Sequence, residues 1–183
     1  MGPAQSKASG ISPPGADAGS GKESRGVMQY NNILYCTDYS EDAEIALVHA
    51  ADLARRHGAT LHVLHVLKSR HRYLPTETYE GQEEGEVAMV TPELVEEAVA
   101  KLKQHYGPRL QEVAQVHYQV VAGTAFVEIL RYARDKAIDL IVLGAAGESE
   151  KEPTHYGSTV EQVSRQAHCA VMAIRNPEKT YTL

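Results

Sequence analysis

Glycines with the spacing of a phosphate-binding loop follow one apolar run of the chain. Gly144 and Gly147 come directly after that run, and Gly157, Ser158 and Thr159 follow nine residues later, where a helix is predicted to begin. A glycine lets the backbone turn sharply and approach a bulky anion, because no Cβ stands in the way. The amide groups and the dipole of a helix N-terminus favour a phosphate group. This spacing predicts a phosphate site between Gly144 and Thr159.

A carboxylate stands at the end of a second apolar run. The stretch Thr37-Asp38-Tyr39-Ser40 directly follows the apolar residues Ile33–Cys36. Because like charges repel, Asp38 is not expected to contact a phosphate directly. It is predicted to accept hydrogen bonds from a ribose, or to hold a divalent cation such as Mg²⁺ that bridges to phosphate oxygens.

Each of these features also has a purely structural explanation. Glycines after a strand often serve only the turn, and Asp38 can begin the turn before a helix. Ser158 and Glu161 have the Ser-x-x-Glu spacing of a capping box, which would explain Ser158 without a ligand. A ligand is favoured because both groups of residues are predicted to lie at neighbouring strand ends.

Apolar runs alternate with helical periods along most of the chain. Five predicted strands alternate with four predicted helices, which is typical of a doubly wound parallel sheet with right-handed crossovers. In the flavodoxin-like order 3-2-1-4-5, the ends of strands one and four face one crevice, and ligands bind where strand order reverses. The predicted strands are Ile33–Cys36, Leu61–Leu67, Val116–Val121, Asp139–Gly144 and Ala170–Ile174, and the third and fourth helices are predicted at Ala125–Ala137 and from Ser158.

The first two helices have clear boundary patterns. Ser40 is predicted to cap the first helix, and Gly58 is predicted to end it. Thr91-Pro92-Glu93 predicts the start of the second helix, with proline at the first helical position. The predicted buried face of this second helix consists of Leu94, Val95, Ala98 and Leu102.

Composition and charge exclude several classes of function. The chain has 183 residues, 43% of them hydrophobic and 23% charged, as in a single soluble domain. Its formal net charge of −6 argues against nucleic acid binding. No apolar run approaches the roughly 20 residues that a membrane span needs, and no secretory signal is recognised. Cys36 and Cys169 are predicted to be buried, reduced thiols, so a cytoplasmic location is expected.

Two segments are predicted to lie outside the packed core. Residues 1–27 are rich in Gly, Ser, Pro and Ala and predict a disordered tail, which leaves residues 28–183 as one domain. The stretch from Lys68 to Val90 shows no periodicity and carries many acids. A long loop of this kind tends to be functional or disordered, and both a lid and a partner-docking loop are consistent with it.

The glycine pattern Gly144-x2-Gly147-x9-Gly157-Ser158 resembles the signature of the ATP-binding branch of the universal stress protein family. The stretch Tyr35–Ser40 also resembles that family's strand-one ending, and His65-Val66 resembles its strand-two ending. The resemblance runs from about residue 29 to residue 175.

The resemblance implies a nucleotide site and a dimer. By position, Asp38 would contact the adenine or the ribose, the Val66 backbone would face the adenine, Gly144 would lie by the ribose and Gly147 by the phosphates. Members of the family usually form homodimers through their last strand, here Ala170–Ile174, and an exposed apolar edge strand needs such cover. The implied nucleotide-binding residues are Cys36, Thr37, Asp38, Val66, Gly144, Ala145, Ala146, Gly147, Gly157, Ser158, Thr159 and Val160.

The identity of the nucleotide stays open between AMP, ADP and ATP, with or without Mg²⁺. The segment Glu148–Tyr156 carries three acids and one lysine, and this disfavours a triphosphate. A protonated His155 would partly compensate, so affinity would fall as pH rises. No general base and no lysine or arginine is identified beside the phosphates, so no catalytic residue is assigned and at most slow ATP hydrolysis is expected.

Other functions are weaker alternatives. A structural or regulatory dimer with a vestigial glycine loop is one of them. A hydrolase of a related adenine-nucleotide fold would need a Ser-Gly-Gly-x-Asp-Ser turn after strand one, and a receiver domain would need an acid after strand three; neither is present. No metal site is predicted, since His62 and His65 lie three apart on a strand and face opposite sides.

Overall fold

The computed structural model describes residues 28–68, 90–147 and 156–178, together with Gly2. All structural statements below concern these residues. The predicted disordered tail apart from Gly2, the predicted insertion between Lys68 and Val90, and the acidic segment 148–155 with His155 lie outside the described residues.

Strands and helices alternate through the described residues as the sequence predicts. Five parallel strands form one sheet in the order β3-β2-β1-β4-β5, which confirms the predicted doubly wound α/β fold. No described helix is long and apolar enough to cross a bilayer. The elements are β1 (Asn32–Thr37), α1 (Glu41–His57), β2 (Thr60–Lys68), α2 (Pro92–Tyr106), a short 3₁₀ turn (Gly107–Arg109), β3 (Val116–Gly123), α3 (Ala125–Asp135), β4 (Leu140–Gly144), α4 (Ser158–Gln166) and β5 (Ala170–Ile174).

The helices cover the two faces of the sheet in pairs. Helices α1 and α2 pack on one face, here called the α1/α2 face, where Leu47 and Leu102 are fully buried against strand residues such as Val63. Helices α3 and α4 pack on the other, the α3/α4 face, where Ile129 and Val163 are buried. Strand β1 lies in the middle of the sheet and contributes apolar side chains to both cores, as a strand covered on both faces must.

Three of the predicted helix boundaries are confirmed. Ser40 caps α1, where its side chain accepts a hydrogen bond from the Ala43 N–H. Gly58 ends α1 in the left-handed conformation, with φ of 63°. Thr91 caps α2 in the same way as Ser40 caps α1, and Pro92 is the first helical residue.

Three local predictions are wrong. Leu94 is 42% exposed, so the buried face of α2 is narrower than predicted and is centred on Leu102 and Tyr106. Ser158 does not form a capping box, because Gly157 takes the N-cap position and Ser158 is already helical. Helix α3 ends at Asp135 instead of Ala137, since the chain turns there to bring Ile138 into the core.

Candidate functional site

A cavity of about 530 Å³ opens at the carboxyl edge of the sheet, on the α3/α4 face. Its volume lies in the range of roughly 300 to 1,000 Å³ that is typical of small-molecule sites. At this edge the chain leaves β1 for α1 on one face of the sheet and leaves β4 for α4 on the other. The cavity therefore lies at the point where strand order reverses. Its lining consists of Cys36, Thr37, Asp38, Leu64, Val66, Gly123, Thr124, Ala125, Phe126, Ile129, Leu143, Gly144, Gly147, Gly157, Ser158, Thr159, Val160 and Gln162.

The structure brings almost all of the sequence-predicted site residues to this cavity. The predicted residues of β1, β2, β4 and α4 line it, and the exceptions are Ala145 and Ala146. These two alanines are buried, and their backbone groups hold the loop in place. The Ala145 N–H donates to the Ile174 carbonyl at 2.7 Å, and the Ala146 N–H donates to Asp42 Oδ2 at 3.1 Å.

Gly144 and Gly147 are glycines for different physical reasons. A Cβ on Gly144 would lie 2.6 Å from the Ala43 nitrogen, so this glycine allows β4 to pack against the start of α1. A Cβ on Gly147 would lie 2.8 Å from Asp38 Oδ2. The loop after β4 therefore meets the loop after β1 at Gly147, which is the contact between strand ends that the sequence predicts.

The N-terminus of α4 faces the cavity. Gly157 is its N-cap, and the Gly157 N–H is held by the Ala145 carbonyl at 2.9 Å. The amides of Ser158, Thr159 and Val160, in the first turn, have no acceptor within the helix itself, as at every helix N-terminus. These residues line the cavity, so the positive end of the helix dipole is directed into it.

The turn from β3 into α3 also lines the cavity, and the sequence reasoning missed it. Gly123, Thr124, Ala125 and Phe126 are lining residues, and Ile129 follows one turn later. Thr124 is the N-cap of α3 and its side chain makes no capping hydrogen bond. The pattern that could have found this turn is Gly123-Thr124 at a strand end. Gly123 has φ of 152°, in the region that favours glycine.

Three other lining residues were missed for a simpler reason. They occur inside elements, where no motif marks them: Leu64, Leu143 and Gln162.

A positive side chain lies beside α4 that the sequence reasoning did not place. The Arg175 guanidinium stacks over the Tyr156 ring, with its carbon 4.7 Å from the ring centroid. Arg175 follows β5, and Tyr156 directly precedes Gly157. Because the strands are parallel, Arg175 lies at the same edge of the sheet as the cavity, although it is not among the residues that line it.

The loop between β1 and α1 holds Asp38 in a defined turn. Asp38 Oδ1 accepts a hydrogen bond from the Ser40 N–H at 3.1 Å, and Thr37 Oγ1 accepts one from the Tyr39 N–H at 3.0 Å. Tyr39 has φ of 64°, which is an unusual conformation for a bulky residue. Cys36 precedes this loop, and burial raises the pKa of its thiol, so the thiol stays protonated and is a poor nucleophile.

The described histidines do not form a metal site. His62 and His65 face opposite sides of the sheet, as the sequence predicts: His62 Nδ1 lies 2.9 Å from the Tyr132 hydroxyl, and His65 Nδ1 lies 2.8 Å from the Thr37 carbonyl oxygen. Within residues 28–68, 90–147 and 156–178, no group of three or more His, Cys, Asp or Glu residues could hold a metal ion. Cys36 and Cys169 are both free, and Cys169 is only half-buried, just before β5.

The chain is similar to universal stress proteins of archaea and bacteria. The universal stress protein MJ0531 of Methanocaldococcus jannaschii is 29% identical over 155 residues, which are 84% of this chain and 87% of that protein. The solved structure of the universal stress protein UspA from Lactobacillus plantarum matches with a TM-score of 0.62 at 29% identity, over 81% of this chain and 99% of that one.

Two further solved structures with the same fold are nucleotide complexes. One is a universal stress protein in complex with cAMP, with a TM-score of 0.57 at 18% identity, over 80% of this chain and 98% of that one. The other is the universal stress protein from Archaeoglobus fulgidus in complex with dAMP, with a TM-score of 0.56 at 23% identity, over 80% and 99% of the two chains.

The family model named Usp, universal stress protein family, matches residues 29–175, a range that runs from just before β1 to just past β5. The chain therefore belongs to the universal stress protein family.

Proposed function

We propose that this chain is a cytoplasmic regulatory protein that binds an adenine nucleotide, AMP, ADP or ATP, in the cavity at the carboxyl edge of the sheet. The observation that carries the proposal is the contact between the two predicted loops, where a Cβ on Gly147 would lie 2.8 Å from Asp38 Oδ2. The complexes of similar folds with cAMP and dAMP support the ligand class, since both ligands combine an adenine base, a sugar and one phosphate.

The part of the cavity under β2 and α3 suits the base. Leu64, Val66, Phe126 and Ile129 contribute apolar surface there. Burying the faces of a base against such side chains is favourable, at about 25 cal/mol for each Å² of apolar surface removed from water. Asp38, on the neighbouring strand end, can accept hydrogen bonds from the hydroxyl groups of a ribose.

The part of the cavity beside α4 suits the phosphates. The first-turn amides of Ser158 and Thr159 can donate to phosphate oxygens, and the helix dipole favours the negative charge. Arg175 strengthens this end, because a guanidinium has five N–H donors and matches the geometry of phosphate oxygens. Its stacking on Tyr156 orders the side chain before a ligand arrives.

The same lining supports at most slow ATP hydrolysis. Asp38 is the one carboxylate among the described lining residues, and no described histidine is among them. Asp38 Oδ1 accepts the Ser40 N–H and the carboxylate is assigned to the ribose, so no lining residue is assigned as a general base. If Mg²⁺ accompanies the nucleotide, Asp38 and the phosphate oxygens would hold it, because Mg²⁺ usually binds through one or two carboxylates and substrate phosphates.

We also propose that two copies pair through β5. This strand lies at one edge of the described sheet and pairs with β4 on its other side. Its apolar residues Val171, Met172 and Ile174 are only half-buried, and a second copy would cover them. Light scattering after size exclusion should give the mass of a dimer. Ala170→Lys, at an exposed position of β5, should shift that mass toward the monomer, whereas a wild-type protein of monomer mass would refute the pairing.

The nucleotide proposal is tested by what the purified protein carries and binds. Mass spectrometry of the denatured protein should detect AMP, ADP or ATP. Calorimetric titration of nucleotide-stripped protein should show saturable binding of adenine nucleotides, and parallel titrations with Mg²⁺ would show whether the cation contributes. If none of the three nucleotides is carried or bound, the chain is not a nucleotide-binding protein of this kind.

A matched pair of glycine variants locates the binding. Gly147→Ala places a methyl group 2.8 Å from Asp38 Oδ2, at the edge of the cavity, and should weaken nucleotide binding at least tenfold. Gly107→Ala is the control, since its Cβ would meet one neighbouring atom, the Tyr118 hydroxyl oxygen, at an ordinary 3.8 Å. Equal affinities for the two variants would show that the nucleotide binds elsewhere.

A further inference from the structure

A chain of hydrogen bonds, with a buried Thr37–Tyr106 bond at its centre, runs from the β1–α1 loop to helix α2. The Tyr106 hydroxyl lies 2.6 Å from Thr37 Oγ1 and 2.9 Å from Glu44 Oε1, and Thr37 Oγ1 lies 3.0 Å from the Tyr39 nitrogen. Tyr106 is fully buried, although it comes from the last turn of α2 and not from the loop itself. These four residues, Thr37, Tyr39, Glu44 and Tyr106, are here called the relay.

The direction of every proton in the relay follows from the chemistry of its two ends. The backbone N–H of Tyr39 can only donate, so Thr37 Oγ1 accepts from it. The ionised carboxylate of Glu44 can only accept, so the Tyr106 hydroxyl donates to it. The remaining proton, that of the Thr37 hydroxyl, then points to the Tyr106 oxygen. All bonds run in one direction from Tyr39 to Glu44, and hydrogen bonds aligned in this way strengthen one another.

The carboxylate at the end of the relay is held by further partners. Arg109 pairs with Glu44, and His105 Nε2 lies 3.0 Å from Glu44 Oε1. Partial burial opposes the ionisation of Glu44, but the hydrogen bonds from Arg109, His105 and Tyr106 outweigh it and lower its pKa. Burial raises the pKa of the Tyr106 hydroxyl, so this group remains a donor. The relay is therefore anchored on α2 and on the turn that follows it.

The relay ends at the residue with the unusual backbone. A left-handed conformation is costly for a bulky residue such as Tyr39, and it persists only where the surroundings hold it. Tyr106 holds Tyr39 twice, through the relay and through a near-parallel ring contact with centroids 5.9 Å apart. The His65 ring packs on Tyr39 as well, with its centroid at 4.9 Å.

Asp38 lies between the two residues that the relay fixes. Thr37 and Tyr39 flank it, and the Asp38 carboxylate faces Gly147 in the cavity. Tyr106 does not line the cavity. We infer that Tyr106 is a positioning residue: through Thr37 and the strained Tyr39 turn, it holds the Asp38 carboxylate in the orientation that binds the nucleotide. This inference rests on the proposed nucleotide site.

This arrangement couples α2 to the nucleotide. A ligand that needs the strained turn must favour the position of α2 in which Tyr106 reaches Thr37. Coupling between two sites is reciprocal, so a partner that moves the end of α2 changes nucleotide affinity, and the nucleotide changes affinity for that partner by the same factor. Bound AMP should therefore slow hydrogen exchange in the last turn of α2, at a distance from the cavity.

The test removes one oxygen atom and measures affinity in two backgrounds. Tyr106→Phe keeps the ring but interrupts the relay, and it should weaken AMP binding roughly five- to tenfold, the lower range of site-to-site coupling. In the Asp38→Ala background the same change should alter the dissociation constant less than about twofold, because Tyr106 acts through Asp38. Hydrogen exchange at the amides of residues 37–40 should be faster in Tyr106→Phe.

A second tyrosine serves as the control, and a second variant guards against misfolding. Tyr118→Phe removes a half-buried hydroxyl on β3, on the same face of the sheet, and should leave AMP affinity unchanged. If Tyr106→Phe does not fold, Thr37→Val replaces it, because this change also removes the hydrogen bond between Thr37 and Tyr106. Its effect on AMP affinity should likewise depend on Asp38. An unchanged affinity in Tyr106→Phe, or an equal loss with and without Asp38, would overturn the inference. A wild-type protein that binds no adenine nucleotide would instead overturn the proposed function.

Discussion

The two faces of the sheet differ in how completely their buried groups are packed and hydrogen-bonded. On the α1/α2 face, the buried hydroxyls of Tyr35 and Tyr106 have hydrogen-bond partners, and Leu47 and Leu102 are fully enclosed. On the α3/α4 face, the cavity interrupts the packing, and His62 Nε2 is the one buried side-chain polar atom of the described residues that lacks a partner. The first face encloses its core and holds the β1–α1 loop, whereas the second gives up packing for the cavity that we propose as the binding site.

The largest expected effect on stability comes from truncating one buried residue on each face, Leu102 and Ile129. Leu102→Ala on α2 should lower the free energy of unfolding by about 3 to 5 kcal/mol, because it leaves a void in a closed core. Ile129→Ala on α3 should cost clearly less, since Ile129 already borders the cavity, but it should weaken nucleotide binding. Chemical denaturation of both variants measures the difference. Equal costs would show that the α3/α4 face is packed as tightly as the α1/α2 face.

The two loop glycines give the next contrast. Gly144→Ala should lower the free energy of unfolding by about 3 kcal/mol, because its methyl group would collide with backbone atoms of Asp42 and Ala43 at 2.6 to 2.8 Å. Gly147→Ala should leave stability nearly unchanged and act on ligand affinity, since the atom that it meets belongs to the Asp38 side chain. Thermal denaturation without ligand separates the two. A stable Gly144→Ala variant would contradict the close contact of β4 with α1.

His62, the buried histidine described above, should make the stability of the protein depend on pH. Burial, followed by the nearby charges of His117 and Lys136, lowers the pKa of His62 from 6.5 to about 4. The unfolded chain therefore binds a proton at a higher pH than the folded chain does. The corresponding stability is complete above pH 6.5, is lost as pH falls toward 4, and amounts to about 3 kcal/mol.

Replacement of His62 tests this dependence. The free energy of unfolding, measured in urea between pH 7 and pH 4, should change less with pH for His62→Gln than for wild type, because glutamine carries no titrating group. His49→Gln, at an exposed position of α1, should keep the wild-type slope. If the two variants show the same slope, His62 does not titrate as its burial requires.

The smallest expected effects concern the exposed ion pairs on opposite faces. Arg56 pairs with Asp52 on α1, and Arg165 pairs with Glu161 on α4, each across one helical turn. Arg56→Gln and Arg165→Gln should each change the free energy of unfolding by less than about 0.5 kcal/mol, because solvent screens both pairs. A larger loss in either variant, measured by urea titration, would show that its face depends on surface charge.

Local sequence patterns predicted most of the helices and strands. They failed where contacts with distant parts of the chain determine the structure. Ser40 and Gly58 were predicted correctly, since a cap depends on residues within one turn. Leu94 fits the period of a buried helix face, but which face of α2 is buried depends on how the helix lies on the sheet. Ser158 has the spacing of a capping box, yet Gly157 takes the cap because the Ala145 carbonyl holds its N–H.

The sequence by itself determined the strand order and the residues at the strand ends. The reason is that right-handed crossovers in a doubly wound sheet leave few ways to arrange alternating strands and helices. Only the tertiary structure decided which contact each residue makes there. Gly144 serves packing and Gly147 faces Asp38, although both occupy the same motif. Tyr106 reaches Thr37 across 69 positions of the chain, and no spacing rule relates residues that far apart, because their approach depends on how helices pack on a sheet.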